Sequence, residues 1–173
     1  MAEAQAIWIA YVVIGLVVLQ RFGELTLANR NTQRLKAKGA VEIGAGHYRF
    51  IVLLHAAWLM AVLWLLPAPL VIHWAWLGLF VVLQAVRVWV IATLGPYWTT
   101  RIISMPDAPL IKHGPYRFLR HPNYVVVAGE ILALPLVFGE TLVAIVFSLA
   151  NAAMIFWRIR EEEAALLSRR ELG

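Results

Sequence analysis

An all-α integral membrane fold with five transmembrane helices is the class this sequence predicts, on three observations. First, 62% of the 173 residues are hydrophobic and 14% charged, with a mean hydropathy of +0.75. Soluble domains run at about 45–50% apolar and about 25% charged. Second, the apolar residues fall into runs near the ~20 residues that a helix needs to cross a bilayer. Third, apart from Arg21 and Arg87, lysine and arginine fall in alternate connections between those runs and in the tail. The length allows one domain over 1–173, and eight tryptophans suit the belts at the two membrane–water interfaces.

Span one is Ala4 to Leu19, with room to continue past Arg21 toward Ala28. Phe50 to Leu66 forms the second span, stopped by Pro67-Ala68-Pro69, and Val71 to Leu94 the third, stopped by Gly95-Pro96. Asn123 to Phe138 is a short fourth span containing Pro135. Gly139-Glu140 turns the chain, and Thr141 to Trp157 returns it, so spans four and five form a helical hairpin. The tail from Arg158 to Leu172 is rich in alanine, leucine, glutamate and arginine and should prolong span five as helix. Gly95 to His121 holds Pro96, Pro106, Pro109 and Pro115 and reads as mostly irregular. Arg30, Arg34, Lys36, Lys38 and Arg49 lie between spans one and two, and Arg101, Lys112, Arg117 and Arg120 between spans three and four. Arg158, Arg160, Arg169 and Arg170 follow span five, whereas the turns at 67–69 and 139–140 carry no lysine or arginine. The positive-inside rule then puts the N-terminus outside and the C-terminus in the cytoplasm. Residues 1–94 comprise three spans with a cytoplasmic loop at 29–49, and 95–173 a loop, the hairpin and a C-terminal helix.

Composition also excludes. With no cysteine there are no disulfides, thiolate zinc sites or cysteine nucleophiles. Met1-Ala2-Glu3-Ala4-Gln5 lacks the basic start of a secretory signal, so the first apolar run is expected to stay as a membrane helix. The net charge of +5 comes from residues between spans, not from a clustered basic face, which argues against nucleic acid. His47, His55, His73 and His113 are dispersed, with no pair spaced for one helical face, so no metal is expected.

Two knots of polar chemistry bracket the hairpin. The first is Gly114-Pro115-Tyr116-Arg117-Phe118-Leu119-Arg120-His121-Pro122-Asn123-Tyr124. Snorkelling arginines and interfacial tyrosines would account for its composition. An anchor does not need this order, with Gly-Pro and His-Pro enclosing a dense set of directional groups. Pro122 suits the first turn of span four, where its missing N–H costs nothing. The second knot is Arg158-Ile159-Arg160-Glu161-Glu162-Glu163. Alone it reads as a solvated helix face with ion pairs worth a few tenths of a kcal/mol. A membrane hairpin between the knots brings both to one boundary, where a polar ligand can meet an apolar one.

Gly-x-Tyr-Arg-x-x-Arg-His-Pro-x-Tyr, an apolar hairpin and then Glu-Glu resembles the isoprenylcysteine carboxyl methyltransferase family, over roughly Leu94 to Leu166. These are membrane-embedded enzymes that use S-adenosyl-L-methionine. A second, more scattered likeness lies in Arg21-Phe22-Gly23-Glu24-Leu25, Arg30-Asn31, Lys38-Gly39-Ala40-Val41-Glu42 and His47-Tyr48. It is similar to a bacterial subgroup associated with O-methylation of alkylpyrones and alkylresorcinols. The resemblance implies cofactor contacts at Leu110, Ile111, Gly114, Tyr116, His121, Pro122, Asn123 and Tyr124, with Glu162 as the cofactor-binding carboxylate. It also implies that Arg158 faces the acceptor group of the substrate. The spacing Arg-Ile-x-x-Glu-Glu selects Glu162 and Glu163, although Glu161 makes the acidic cluster a triple.

The chemistry of such a reaction suits these groups. The cofactor's ribose diol and ammonium call for acceptors such as Glu162 or Glu163, its adenine for aromatic surface, its carboxylate for N–H groups or an arginine. In-line methyl transfer gains chiefly from positioning. A carboxylate acceptor needs no base, whereas a phenol or enolic hydroxyl is helped by one, with His121 or a nearby glutamate such as Glu163 as candidates. Arg87 lies mid-span, which makes it either a substrate-binding residue or a structural partner of Glu130 or Glu24.

The expected protein is therefore an O-methyltransferase of a bacterial inner or plasma membrane. Its partners are the lipid bilayer and a lipophilic small-molecule or prenylated substrate. An amino-lipid N-methyltransferase, a nicotinamide-dependent reductase and a non-catalytic membrane partner or transporter are the rival classes. No inverted repeat or pair of broken helices favours transport.

Overall fold

The computed structural model describes residues 1–105 and 111–171, with backbone alone for Ala2, Ala45, His47 and 163–171. Five helices carry the chain: α1 (Ala2–Ala37), α2 (Ala45–Trp64), α3 (Trp74–Leu94), α4 (Pro122–Val137) and α5 (Thr141–Glu171). Short 3-10 turns cover Gly95–Tyr97 and Gly114–Arg117. Two three-residue strands, β1 (Val41–Ile43) and β2 (Ile102–Ser104), pair antiparallel, with Val41 opposite Ser104 and Ile43 opposite Ile102. The fold is thus mostly helical, and this two-stranded sheet corrects the purely helical expectation. Among its described residues Gly95–His121 is mostly irregular, as its prolines lead one to expect, apart from β2 and the two 3-10 turns; β2 finds its partner in the α1–α2 connection.

Three helices are long and apolar enough to cross a membrane, within Glu3–Ala37, Trp74–Tyr97 and Thr141–Glu162. Tyr48–Trp64 and Pro122–Val137 are shorter apolar helices. The exterior is apolar, with Trp8, Leu16, Leu19, Val81, Val88, Leu142 and Leu149 exposed, while Glu24, Arg87 and Glu130 are buried. That inverts the usual soluble pattern and matches a lipid environment, where polar groups must find partners inside the protein.

They do so in one cluster. Arg87 donates from Nε and Nη2 to the two carboxylate oxygens of Glu24, each at 2.6 Å, and from Nη1 to Glu130 at 2.9 Å. Arg21 reaches the same two carboxylates at 2.9 and 2.7 Å. Gln20 and Gln84 donate to the remaining lone pairs of Glu24 and Glu130. Two arginines against two glutamates leave the cluster neutral. It also explains why α1 runs unbroken for 36 residues, about 54 Å, well past the expected end near Ala28. Its charges are neutralised inside the bundle, so nothing forces the helix to stop at them.

Helix α4 lies between α3 and α5. Its close approach to α3 depends on Gly129, where a Cβ would sit 3.0 Å from both methyls of Leu83. Pro122 occupies the first turn of α4, as its missing N–H predicts. Pro135, in the last turn, takes part in termination: its carbonyl accepts from the Phe138 and Glu140 amides. Glu140 then precedes α5, and its carbonyl accepts from Ala144 N–H. Both its carboxylate oxygens are buried without a hydrogen-bond partner, and burial pushes the carboxyl up to about 7.

At the opposite end, the α1–α2 connection, residues 95–104 and 114–117 and the Arg158–Glu162 turn of α5 converge. Glu42 on β1 receives Lys36 and Arg101, each at 2.5 Å. Burial raises this carboxyl, but the two cations outweigh it and hold the group below the usual carboxylate range. Asn31 donates to the carbonyls of Gly95 and Trp98, fixing the turn after α3 to α1.

Candidate active site

The two sequence knots meet in this end of the molecule. Tyr124, in the first turn of α4, donates its hydroxyl to Glu162 Oε1 on α5 at 2.5 Å. The Tyr124 hydroxyl oxygen in turn accepts from Arg158 Nε at 2.8 Å. His121, just before α4, stacks on Tyr124 with ring centroids 5.2 Å apart. Its Nδ1 lies 3.3 Å from Glu162 Oε2. Arg158 and Glu162 are one helical turn apart, with Nε 3.7 Å from Oε1. One phenol therefore joins a cation and an anion on α5 to the start of α4, and a helical hairpin is the simplest backbone that permits it.

These groups line a cleft of about 280 Å³, near the lower end of the ~300–1,000 Å³ typical of small-molecule sites. Tyr97, Trp98 and Tyr116 supply aromatic surface, and Ile43, Ile102 and Ile103 close it from the β1–β2 sheet. Asn123 lines the cleft, and its Oδ1 is a buried acceptor with no hydrogen-bond partner among the described residues. Burial, with the Glu162 charge beside it, pushes the Tyr116 phenol up to about 12, so it stays a donor at neutral pH.

Of the residues expected from sequence, Tyr116, His121, Asn123, Tyr124, Arg158 and Glu162 line this cleft. Pro122 is buried at the start of α4 and does not line the cleft. Gly114 has a φ of +58°, and a Cβ there would meet Thr93 Oγ1 at 2.7 Å; it lets the 114–117 turn rest on α3. Ile111 is partly buried outside the lining. Leu110 and the side chain of Glu163 fall outside the described residues. In the acidic triple, Glu162 enters the cleft whereas Glu161 accepts from Trp157 Nε1 at 3.2 Å on the exposed side. Arg87 does not line the cleft; its guanidinium is committed to Glu24 and Glu130. Of the two sequence readings for Arg87, the structure therefore bears the structural one.

Sequence reasoning missed Tyr97, Trp98, Arg101, Arg120 and the β1–β2 residues of the lining. The tryptophan had been counted with the interfacial belt, and nothing in three-residue strands signals their pairing. The cluster Trp98-Thr99-Thr100-Arg101 between two prolines was the available hint.

The groups present fit S-adenosylmethionine. A carboxylate, an orphaned amide oxygen, a protonated phenol and aromatic walls match its diol, ammonium and adenine. The site is a carboxylate held by tyrosine and histidine in a membrane-end cleft, beside an arginine, and the family match makes the class a membrane methyltransferase. The chain belongs to the isoprenylcysteine carboxyl methyltransferase (ICMT) family, whose profile matches residues 76–168. An uncharacterized protein of Bacillus subtilis strain 168, YpbQ, is 37% identical over 161 residues, covering 90% of this chain and 95% of that protein. An uncharacterized protein of Haemophilus influenzae is 26% identical over 151 residues, covering 84% and 88%. No solved structure matches the chain.

Proposed function

We propose that this protein is an S-adenosylmethionine-dependent O-methyltransferase acting on a lipophilic acceptor in a bacterial plasma membrane. In this reading all five helices are membrane spans, with the N-terminus outside and the C-terminus in the cytoplasm. The shorter α2 and α4 are accommodated by tilt of their neighbours or local thinning of the bilayer. The observation that carries the reading is the Tyr124–Glu162–His121 cluster beside Arg158 in one aromatic-walled cleft.

The bound cofactor would supply an electrophilic methyl group on sulfur. Glu162, oriented by Tyr124 and His121, accepts hydrogen bonds from its diol or ammonium, and Asn123 Oδ1 offers a further acceptor. Tyr97, Trp98 and Tyr116 cover the adenine. Arg158 holds the acceptor oxygen: its Nε is used by Tyr124, while among the described residues its two terminal nitrogens have no hydrogen-bond partner. The sheet over the cleft excludes water, which strengthens these interactions. The acceptor enters laterally from the bilayer, the cofactor from the cytoplasm.

The test is cofactor binding by purified protein in detergent. Glu162→Ala and His121→Ala should each weaken it at least about tenfold, the scale of a lost charge-assisted hydrogen bond. Unchanged binding in both variants, or none in the wild type, overturns the reading. Membrane lipid extracts given labelled cofactor should yield a methyl ester or ether. Label found on an amine alone would exclude an oxygen acceptor.

A further inference from the structure

Tyr97 lines two cavities: the cleft just described and a second one of about 280 Å³, between the end of α1 and the turn that follows α3. Leu35, Pro96 and Met105 give this second cavity apolar walls, and Arg34, Lys38 and Tyr97 its polar groups. Among the described residues no acidic side chain lines it. The nearby Lys36 and Arg101 are both taken up by Glu42. The side chains of Arg34 and Lys38 have no ion-pair or hydrogen-bond partner among the described residues, and the Tyr97 hydroxyl has none either. Two cations and a hydroxyl donor around an apolar hollow call for an anion with an apolar body.

The course of α1 says which kind. Arg30, Arg34 and Lys38 follow one another at single-turn spacing and are all exposed. Leu27, about two turns before Arg34, and Leu16, about five turns before it, point from the same face and are exposed as well. That face therefore passes from apolar to cationic along its length, as a surface facing first lipid tails and then headgroups would. Arg34 lies about 10 Å beyond Leu27, and helical side chains lean toward the N-terminus, so both cations reach back to headgroup depth. The negative end of the α1 dipole would oppose an anion here, but the turn at Gly39 covers it. With Gly39 at φ +88°, its N–H donates to the Lys36 carbonyl and the Ala40 N–H to the Leu35 carbonyl.

We infer that this cavity is a binding site for the phosphate of an anionic membrane lipid, whose acyl chains lie along the Leu16–Leu27 face of α1. The Arg34 guanidinium can offer paired N–H donors to two phosphate oxygens, Lys38 adds a compact charge, and the Tyr97 hydroxyl donates to a third oxygen. A free phosphate ion would satisfy these groups but leave the apolar walls uncovered. A zwitterionic headgroup would bring a further cation against the two already present. Because Tyr97 is a wall of both cavities, the bound lipid sits directly beside the cleft. The assignment holds whether or not that cleft takes a methyl donor.

The test is a lipid titration of purified full-length protein in neutral detergent, with bound lipid counted by native mass spectrometry. Dioleoyl phosphatidylglycerol should bind at least about tenfold more tightly than dioleoyl phosphatidylcholine, the scale of two basic residues beside an anionic headgroup. Arg34→Gln together with Lys38→Gln should erase that preference. Arg49→Gln together with Lys112→Gln removes the same charge from other connections and should keep it. All four positions are exposed, so both double variants should melt with wild type in the absence of lipid. Inorganic phosphate at the concentration of the lipid should not compete. Equal affinity of wild type for the two lipids overturns the proposal and needs no variant to show it. So does a preference that survives Arg34→Gln with Lys38→Gln. Equal loss in both double variants would reduce the effect to diffuse surface charge, and competition by inorganic phosphate would make the ligand a free anion; either result overturns the lipid site.

Discussion

Tyr124 concentrates the chemistry of the site in one oxygen. Its hydroxyl has one proton to give, which goes to Glu162, and it accepts from Arg158. The phenol thus keeps a cation and an anion one turn apart from collapsing onto each other: their Nε–Oε1 separation is 3.7 Å, longer than a hydrogen bond. Tyr124→Phe removes both contacts while keeping the ring that stacks on His121. Arg158 and Glu162 should then pair directly, withdrawing the carboxylate from the cofactor and the guanidinium from the acceptor. Cofactor affinity is expected to fall roughly tenfold, about 1.4 kcal/mol, with a larger loss in kcat. Titration of cofactor into the variant, beside its turnover, would check this; equal affinity would show the hydroxyl to be dispensable. The same scale separates Glu161 from Glu162. Helical geometry turns successive residues by about 100°, so Glu161 and Glu162 could not both face the cleft, and Glu161 is found with Trp157.

Among the elements, the α4–α5 turn carries an unusual carboxyl. Glu140 is pushed up to about 7 by burial, from an ordinary value of 4.5. The sign follows: between those values the folded state holds a proton that the unfolded state has released, so stability should fall as pH rises through that window. Glu140→Gln, which stays neutral, should flatten this dependence and raise stability above pH 7, by on the order of 1 kcal/mol. Thermal unfolding in detergent at pH 5 and pH 8 measures it; a variant with the same pH slope as wild type would place the proton elsewhere. Glu42 behaves in the opposite sense. Lys36 and Arg101 depress its pKa, so its contribution to the sheet over the cleft is present above the ordinary carboxylate range and is lost as pH falls through its folded value. This element was not legible beforehand. Val41–Ile43 and Ile102–Ser104 are each too short to show alternation, and their pairing sets Glu42 opposite Ile103, far away in the chain.

At the scale of the whole molecule, the Arg21–Glu24–Arg87–Glu130 cluster ties α1, α3 and α4 together in an otherwise apolar bundle. Removing one partner strands charges of the other sign away from water, which costs about 3–5 kcal/mol. Arg87→Leu should therefore lower the melting temperature in detergent by about 10 °C. Adding Glu24→Leu should recover part of the loss by rebalancing the charge. A variant that melts like wild type but fails in turnover would return Arg87 to substrate binding. The sequence announced that Arg87 needed a partner, because a cation in a membrane span is expensive. It did not say whether protein or ligand supplied one, since Glu24 and Glu130 lie 63 and 43 residues away.

By itself the sequence determined the membrane class, the helices with their stops at prolines and glycines, and the two knots that bracket the α4–α5 pair. These depend on local quantities: hydropathy over a turn or two, fixed proline φ, and residue order within a motif. Tertiary structure alone decided that Glu162 rather than Glu161 enters the cleft, that a sheet covers it, and that Arg87 serves the bundle. Each of these depends on where distant segments meet, and packing, not local preference, settles that.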